Sequence, residues 1–330
     1  MVMGDYMKGG ISRFGKGWMA AAVLALAAPL SAGANVIYDT DFSQINEWAF
    51  SGNNTTSVTA APDGDGTAAR FVLNRNDPVS FRSELVHISG MVPNNVRNAS
   101  PGQEYWYGFK VWLDKFDRDT EDDILFQFHG AADAGCPSQR APNLNLSIRN
   151  DSWIVTSVGD SRRCISRDDR PWQSWVQRKL GTYETGRWTH FVMRIKWSHQ
   201  TDGILEIWKD GEKVLSQRTR TMFNDRKGPN MKIGIYKPSW SSRRTNTNQR
   251  SLYYGDLRVA LGSNQFEAVS TMNGPTGGTP AAPQGLAVDV APPAEVSPAP
   301  AQPVGEAEPE GDNCVRCEIV QDRSSLSILR

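Results

Sequence analysis

The sequence predicts an all-β fold, a β-jelly-roll sandwich, and three observations carry that prediction. Short stretches alternate polar and apolar residues at period two, turn residues separate them, and no long segment shows helical periodicity. With 330 residues the chain has room for one large β-domain flanked by tails.

The elements follow in order. Lys8, Arg13 and Lys16 form a positive n-region, Trp18 to Leu30 an apolar stretch, and Ala32-Gly33-Ala34 a run of small residues. These are the parts of an export signal. We expect residues 1–34 to be that signal, cleaved after Ala34, and the mature protein to be secreted or periplasmic. The apolar stretch is too short for a comfortable membrane span, so none is expected in the mature chain, with an uncleaved anchor as the alternative. Residues 35–266 are expected to form the β-domain. Tyr105 to Leu113 is apolar or aromatic on both faces, as in a strand buried inside a sandwich. Asn143 to Ile148 alternates cleanly, and Trp188 to Trp197 reads as another strand. Gly203 to Leu215 reads as two strands around an Asp210-Gly211 turn. Met231 to Tyr236 and Leu252 to Ala260 complete the set. Residues 267–330 turn to Pro, Ala, Gly and Glu and end in a short Cys-containing piece. Such composition cannot bury enough apolar surface to order itself, so a disordered linker or stalk is expected.

Lys+Arg and Asp+Glu number 36 each. Nothing global favours nucleic acid or an anionic membrane, so any anion recognition must be local. Some of the 11 tryptophans must be core, but flat aromatic faces also suit sugar stacking in carbohydrate clefts. In an exported protein, Cys136 and Cys164, both in polar loop sequence, are expected to pair. Cys314 and Cys317 form a Cys-x-x-Cys without the βαβ context of a redox motif and without a histidine nearby for zinc. A local disulfide or an unpaired tail motif is the plain reading.

Three short strands carry chemistry-bearing residues. Arg82 and Glu84 share one face of Phe81 to Leu85. Gln127 and His129 share one face of Leu125 to His129, with Phe126 and Phe128 opposite. Lys232, Gly234 and Tyr236 share one face of Lys232 to Lys237, with Ile233 and Ile235 opposite. If the three lie in one sheet, their polar groups line one concave surface. A merely solvated face is the alternative, although such faces more often hold Thr, Ser and mixed charges.

Arg82-Ser83-Glu84-Leu85, Gln127-Phe128-His129 and Lys232-Ile233-Gly234-Ile235-Tyr236 resemble the three signature strands of jelly-roll polysaccharide lyases, with their Arg-Ser/Thr-Glu, Gln-x-His and Lys-x-Gly-x-Tyr motifs in this order. The stretch Trp188 to Trp197, with Asp202-Gly203 and Trp208 to Gly211, is similar to the branch of glucuronan lyases and heparin lyase I-like proteins. The resemblance spans nearly all of residues 36–262. It implies a concanavalin-like jelly roll and β-elimination on a 4-linked uronic-acid polysaccharide. In that chemistry the C5 proton becomes removable once the adjacent carboxylate is neutralised. By resemblance Arg82 and Gln127 neutralise it, while His129 and Tyr236 supply base and acid. Tyr236 protonates the leaving oxygen. Either Tyr236 or His129 is the base, according to the uronate epimer, or His129 helps to neutralise the carboxylate. Lys232 places positive charge beside the phenol, and Glu84 holds Arg82. Lys232, Glu84, Asn143, Asn145 and Arg243 are expected at the substrate-binding surface. No cofactor is expected. Members of this group can bind calcium, so a structural calcium stays open, although no Asp-rich loop here has the spacing of a known site. The expected partner is an acidic polysaccharide, met by a monomer.

Other readings remain. Glu121, Asp122 and Asp123 are acidic enough for a glycoside hydrolase, but their spacing does not match the Glu-x-Asp-x-x-Glu strand of jelly-roll glucanases. A carbohydrate-binding module would keep the aromatics without needing His129 and Tyr236 together, and fold alone does not exclude an inactive descendant. His87, His190 and His199 lack matching partners. Arg162, Arg163, Arg167 and Arg170, with Arg243 and Arg244, could bind a polyanion at a cleft rim or simply be solvated.

Overall fold

The computed structural model describes residues 34–270, except positions 139 and 244. Residues 1–33 of the expected signal, and the tail from residue 271 with Cys314 and Cys317, lie outside the described residues.

Alternating hydrophobicity resolves into fifteen strands among the described residues. The first group is β1 (Val36–Thr40), β2 (Trp48–Gly52), β3 (Thr56–Ala60), β4 (Thr67–Asn74) and β5 (Arg82–His87), followed by a four-residue helix α1 (Asn94–Arg97). Then come β6 (Glu104–Lys115), β7 (Asp119–His129), β8 (Pro142–Asn150), β9 (Ser152–Gly159) and β10 (Ser174–Thr182). The last are β11 (Trp188–Lys196), β12 (Ile204–Lys209), β13 (Glu212–Arg218), β14 (Asn230–Tyr236) and β15 (Gln249–Leu261), with a closing helix α2 (Phe266–Ser270).

These strands form two antiparallel sheets. One runs β13-β12-β11-β6-β15-β4-β3, with β1 also paired to β15, and the other runs β10-β9-β8-β7-β14-β5-β2. The inner faces bury one continuous apolar core. Phe109 of the first sheet stacks on Phe126 of the second at 4.4 Å, and Trp153 meets Phe191 edge-on at 4.9 Å. The expected turn between β12 and β13 is present, with Asp210 and Gly211 both at positive φ, which is the geometry an Asp-Gly hairpin turn needs.

β6 is buried on both faces because α2 covers the outside of its sheet. Val269 packs there with Trp106, Val192 and Trp208. Gly108 permits that approach, since a Cβ at this position would sit 2.3 Å from the Val269 carbonyl oxygen. The folded body therefore includes residues through Ser270. No helix among the described residues is long and apolar enough to cross a membrane.

Cys136 and Cys164 are joined in a disulfide, as expected. The bond links the segment after β7 to the segment after β9. Beside it Ile165, Trp172 and Phe223 pack with Val158 of β9 in a small satellite cluster.

Candidate active site

The three polar strands are neighbours. β7, β14 and β5 lie side by side in the seven-stranded sheet. Lys232 pairs with Gln127, Asn230 with His129, and Tyr236 with Arg82. The polar residues of all three strands thus share one face of the sheet, opposite the core.

Local geometry explains two motif positions. Gly234 has φ of +137°, and a Cβ there would lie 2.2 Å from the Ser83 carbonyl oxygen. Only glycine suits that site. Here β14 gains one residue against β7: Ile233 pairs with Phe126, but Tyr236 pairs with Ile124. Such a bulge re-aims the side chain that follows it, in this case Tyr236.

Glu84 sits at the centre of the polar group and is buried. Its Oε1 accepts a hydrogen bond from Gln127 Nε2 at 2.5 Å, and its Oε2 lies 3.6 Å from Arg82 NH1. A carboxylate only accepts, so this contact fixes which end of the Gln127 amide is the NH2. One N–H is spent on Glu84 and the second is left to donate elsewhere. The Arg82 guanidinium also lies over the Tyr236 ring, 4.1 Å from its centroid, which is cation–π distance. Glu84 therefore orients both expected carboxylate-neutralising groups, and Arg82 in turn braces the phenol. The Tyr236 hydroxyl and the Lys232 ammonium have no protein hydrogen-bond or ion-pair partner among the described residues, and both side chains are half-buried.

His129 is also half-buried. Its Nδ1 lies 3.0 Å from the Gly130 carbonyl oxygen. A carbonyl cannot donate, so Nδ1 carries the proton and Nε2 bears the lone pair. Burial, reinforced by the positive charge of Lys232, pushes the His129 pKa down to about 4. The Gly130 and Arg140 backbone carbonyls pull the other way, and Arg82 adds to the depression. The imidazole is neutral at pH 7.

Beside Gln127 the polar row continues through Asn145 of β8 to Thr156 of β9 and Gln177 of β10, each paired in register with the last. Asn143 does not join it. Between Phe128–Leu144 and His129–Pro142, β8 gains one residue, and that residue is Asn143. It is buried and donates its amide to the Val158 carbonyl at 3.3 Å. Arg243 is exposed and holds Glu121 at 2.5 Å. Arg162 is tied to Asp160, Arg163 to Asp133, and Arg170 lies over Trp172.

The acidic group considered for a hydrolase is occupied. Arg149 grips Asp122 through two hydrogen bonds, and Glu121 holds Arg243. Asp123 lies inside a buried cluster of two acids and two bases that the sequence reading missed. Lys237, the residue after Tyr236, turns inward and lies 3.1 Å from Asp119 and 3.0 Å from Asp123. Arg250 of β15 lies 2.9 Å from Asp123. Thr247 Oγ1 donates to Asp119 at 2.7 Å. Burial alone would raise the Asp119 pKa. The Thr245 and Thr247 hydroxyls, the Glu121 amide and the Lys237 charge outweigh it and take the pKa down to about 2.

The other histidines stand apart. His87 faces away from the polar row, stacked on Trp48 at 3.8 Å, and burial takes its pKa down to about 3. His190 lies on the other sheet. Among the described residues, no group of three or more His, Cys, Asp or Glu side chains is placed to hold a metal ion.

Comparison with known proteins bears on the fold and the family. The crystal structure of endo-β-1,4-glucuronan lyase from the fungus Trichoderma reesei is similar with a TM-score of 0.58 at 23% identity, covering 70% of this chain and 97% of that one. A product complex of a family 7 alginate lyase gives a TM-score of 0.43 at 15% identity, over 64% of this chain and 84% of that one. Among curated proteins, a 116-residue stretch is 31% identical to the sulfite reductase [NADPH] hemoprotein beta-component of Staphylococcus epidermidis, covering 34% of this chain. The chain spans only 18% of the length of that relative. The family model described as polysaccharide lyase matches residues 38–258. That is more than half of the chain, and this protein belongs to the polysaccharide lyase family.

Proposed function

We propose that this lyase cleaves a 4-linked uronic-acid polysaccharide by β-elimination, leaving an unsaturated uronate at the new end. The observation that carries the reading is the convergence on one sheet face of Arg82, Gln127, Lys232, a neutral His129 and the free hydroxyl of Tyr236. Each meets a need of the reaction. Gln127, through its second N–H, and Arg82 neutralise the substrate carboxylate, which stabilises the charge that develops when C5 loses its proton. Lys232 adds a cation that has no protein partner among the described residues. His129 Nε2 takes the C5 proton, since the ring proton sits on Nδ1 against the Gly130 carbonyl and the depressed pKa keeps the imidazole neutral. Tyr236 gives its hydroxyl proton to the departing O4. The C5–H electron pair becomes the C4–C5 double bond as the C4–O bond breaks, so atoms and charge balance. Glu84 acts through the residues it positions, because a carboxylate exposed to an anionic polymer would repel it.

A hydrolase needs two poised carboxylates, whereas Glu84 is buried against Gln127 and Arg82, and Asp122, Glu121 and Asp123 are held by Arg149, Arg243 and Lys237. The Cys136–Cys164 disulfide supports an oxidising location, in line with an exported protein. The test is to incubate the purified protein with glucuronan, alginate and heparin-like polymers, follow ultraviolet absorbance of the conjugated uronate, and weigh the products. Unsaturated ends from one or more polymers are expected. Cleavage that adds water and gives only saturated ends would overturn the reading, as would binding without turnover on every polymer.

A further inference from the structure

The outermost strand of the site's sheet, β10, takes no part in the chemistry, yet it presents an aromatic ring beside the polar row. Trp175 is 43% exposed, the one exposed tryptophan among the described residues. Its face is settled by register. Trp175 pairs with Val158 and Gln177 with Thr156, Thr156 pairs with Asn145, and Asn145 pairs with Gln127. Side chains alternate along a strand, so Trp175 and Gln177 share the face that carries Gln127 and His129. Three strand spacings separate β7 from β10, roughly 14 Å. Only a chain of several sugars spans that distance.

The ring is held ready. Trp175 stacks on Trp172 at 5.9 Å with planes 28° apart. Trp172 is buried against Val158, Ile165 and Phe223, and the Arg170 guanidinium lies 4.8 Å from its ring. A rigid aromatic loses little conformational freedom on binding, and that is the condition under which stacking contributes most. Between Trp175 and the acid–base pair the row offers Gln177, Thr156 and Asn145, which suit hydroxyls. Lys179, exposed on the same face of β10, suits a carboxylate.

We propose that Trp175 is a distal sugar-stacking platform that takes the apolar C–H face of a uronate ring several units along the polymer from the scissile bond. It sets a preference for long chains rather than the rate of elimination. The proposal rests on the elimination reading and extends it.

The test measures kcat and KM for the wild type, Trp175→Ala and Trp175→Phe on size-graded uronate oligosaccharides and on intact polymer. For Trp175→Ala, KM on polymer and long oligosaccharides should rise by roughly five- to tenfold, the loss typical of truncating an aromatic anchor. Its kcat should be unchanged, as should KM on the shortest oligosaccharides cleaved. Trp175→Phe should recover part of the loss and carries the test should the alanine variant misfold. If the wild type forms unsaturated ends and the variants match it at every length, the platform alone is wrong. A KM rise equal at all lengths, or a change in oligomeric state on substitution, would assign the ring another role and also overturn it. If the wild type forms no unsaturated ends on any uronate polymer, the elimination reading fails and takes the platform with it.

Discussion

A neutral imidazole among cations is the residue-scale detail on which the chemistry turns. Free histidine titrates near pH 6.5. His129 is pushed down to about 4 by burial and by Lys232. Protonation would consume the Nε2 lone pair, so the base is lost only as pH falls through the lowered value. The acid limb of kcat/KM should therefore lie near pH 4, well below the ordinary histidine range. Lys232→Met removes a charge that opposes protonation, so the limb should move to higher pH while maximal activity falls through weaker binding. A limb that stays in place would mean that His129 is not the titrating base. Gln127→Ala should slow turnover by about 10²–10³-fold, the effect of losing one donor to a developing oxyanion. All these side chains were legible as polar positions on period-two strands. Asn143 was misread because a β-bulge adds one residue to β8 at that point, and no local signal announces it. The link from Glu84 to Gln127 was equally hidden, since it joins strands 43 residues apart in sequence.

At the scale of elements, β14 links the site to the interior. Tyr236 faces the polar row, and Lys237 immediately turns in to meet Asp119 and Asp123. Lys237→Met would leave two buried acids facing Arg250 alone. Breaking a buried ion pair in this way costs about 3–5 kcal/mol, so chemical denaturation should show a loss of that order. A variant as stable as the wild type would mean that the cluster contributes nothing net. The sequence could not reveal this arrangement. Alternation puts Lys237 on the face of Ile233 and Ile235, but its partners Asp119 and Asp123 come from β7 and their second cation, Arg250, from β15, all distant in sequence. The strands themselves were readable where aromatic or alternating runs were long, as in β6, β11 and the β12–β13 hairpin. β9 and β10 went unnoticed although both are strands of the site's sheet. The order β7-β14-β5 is not readable from sequence, because adjacency of strands distant in sequence depends on packing of the whole core.

For the whole molecule, two sheets bury one core, and the polar row lies on the outer face of one of them. Beyond His129 the connecting segments are clamped by Cys136–Cys164, which closes a loop with 28 residues of separation. Closing a loop of that length is worth about 3.5 kcal/mol in the chain-entropy account. Cys136→Ser should lower stability by about that amount, while Tyr236 and Gln127 keep their places. Unchanged denaturation would show that the bridge does not constrain the unfolded chain. The central claim, that Tyr236 drives an elimination, is tested most directly by one rate. Tyr236→Phe keeps the ring and its contact with Arg82 but removes the hydroxyl. Formation of unsaturated ends, compared between wild type and this variant at matched folding, should fall by about 10²–10⁴-fold. Full activity in Tyr236→Phe would contradict the account.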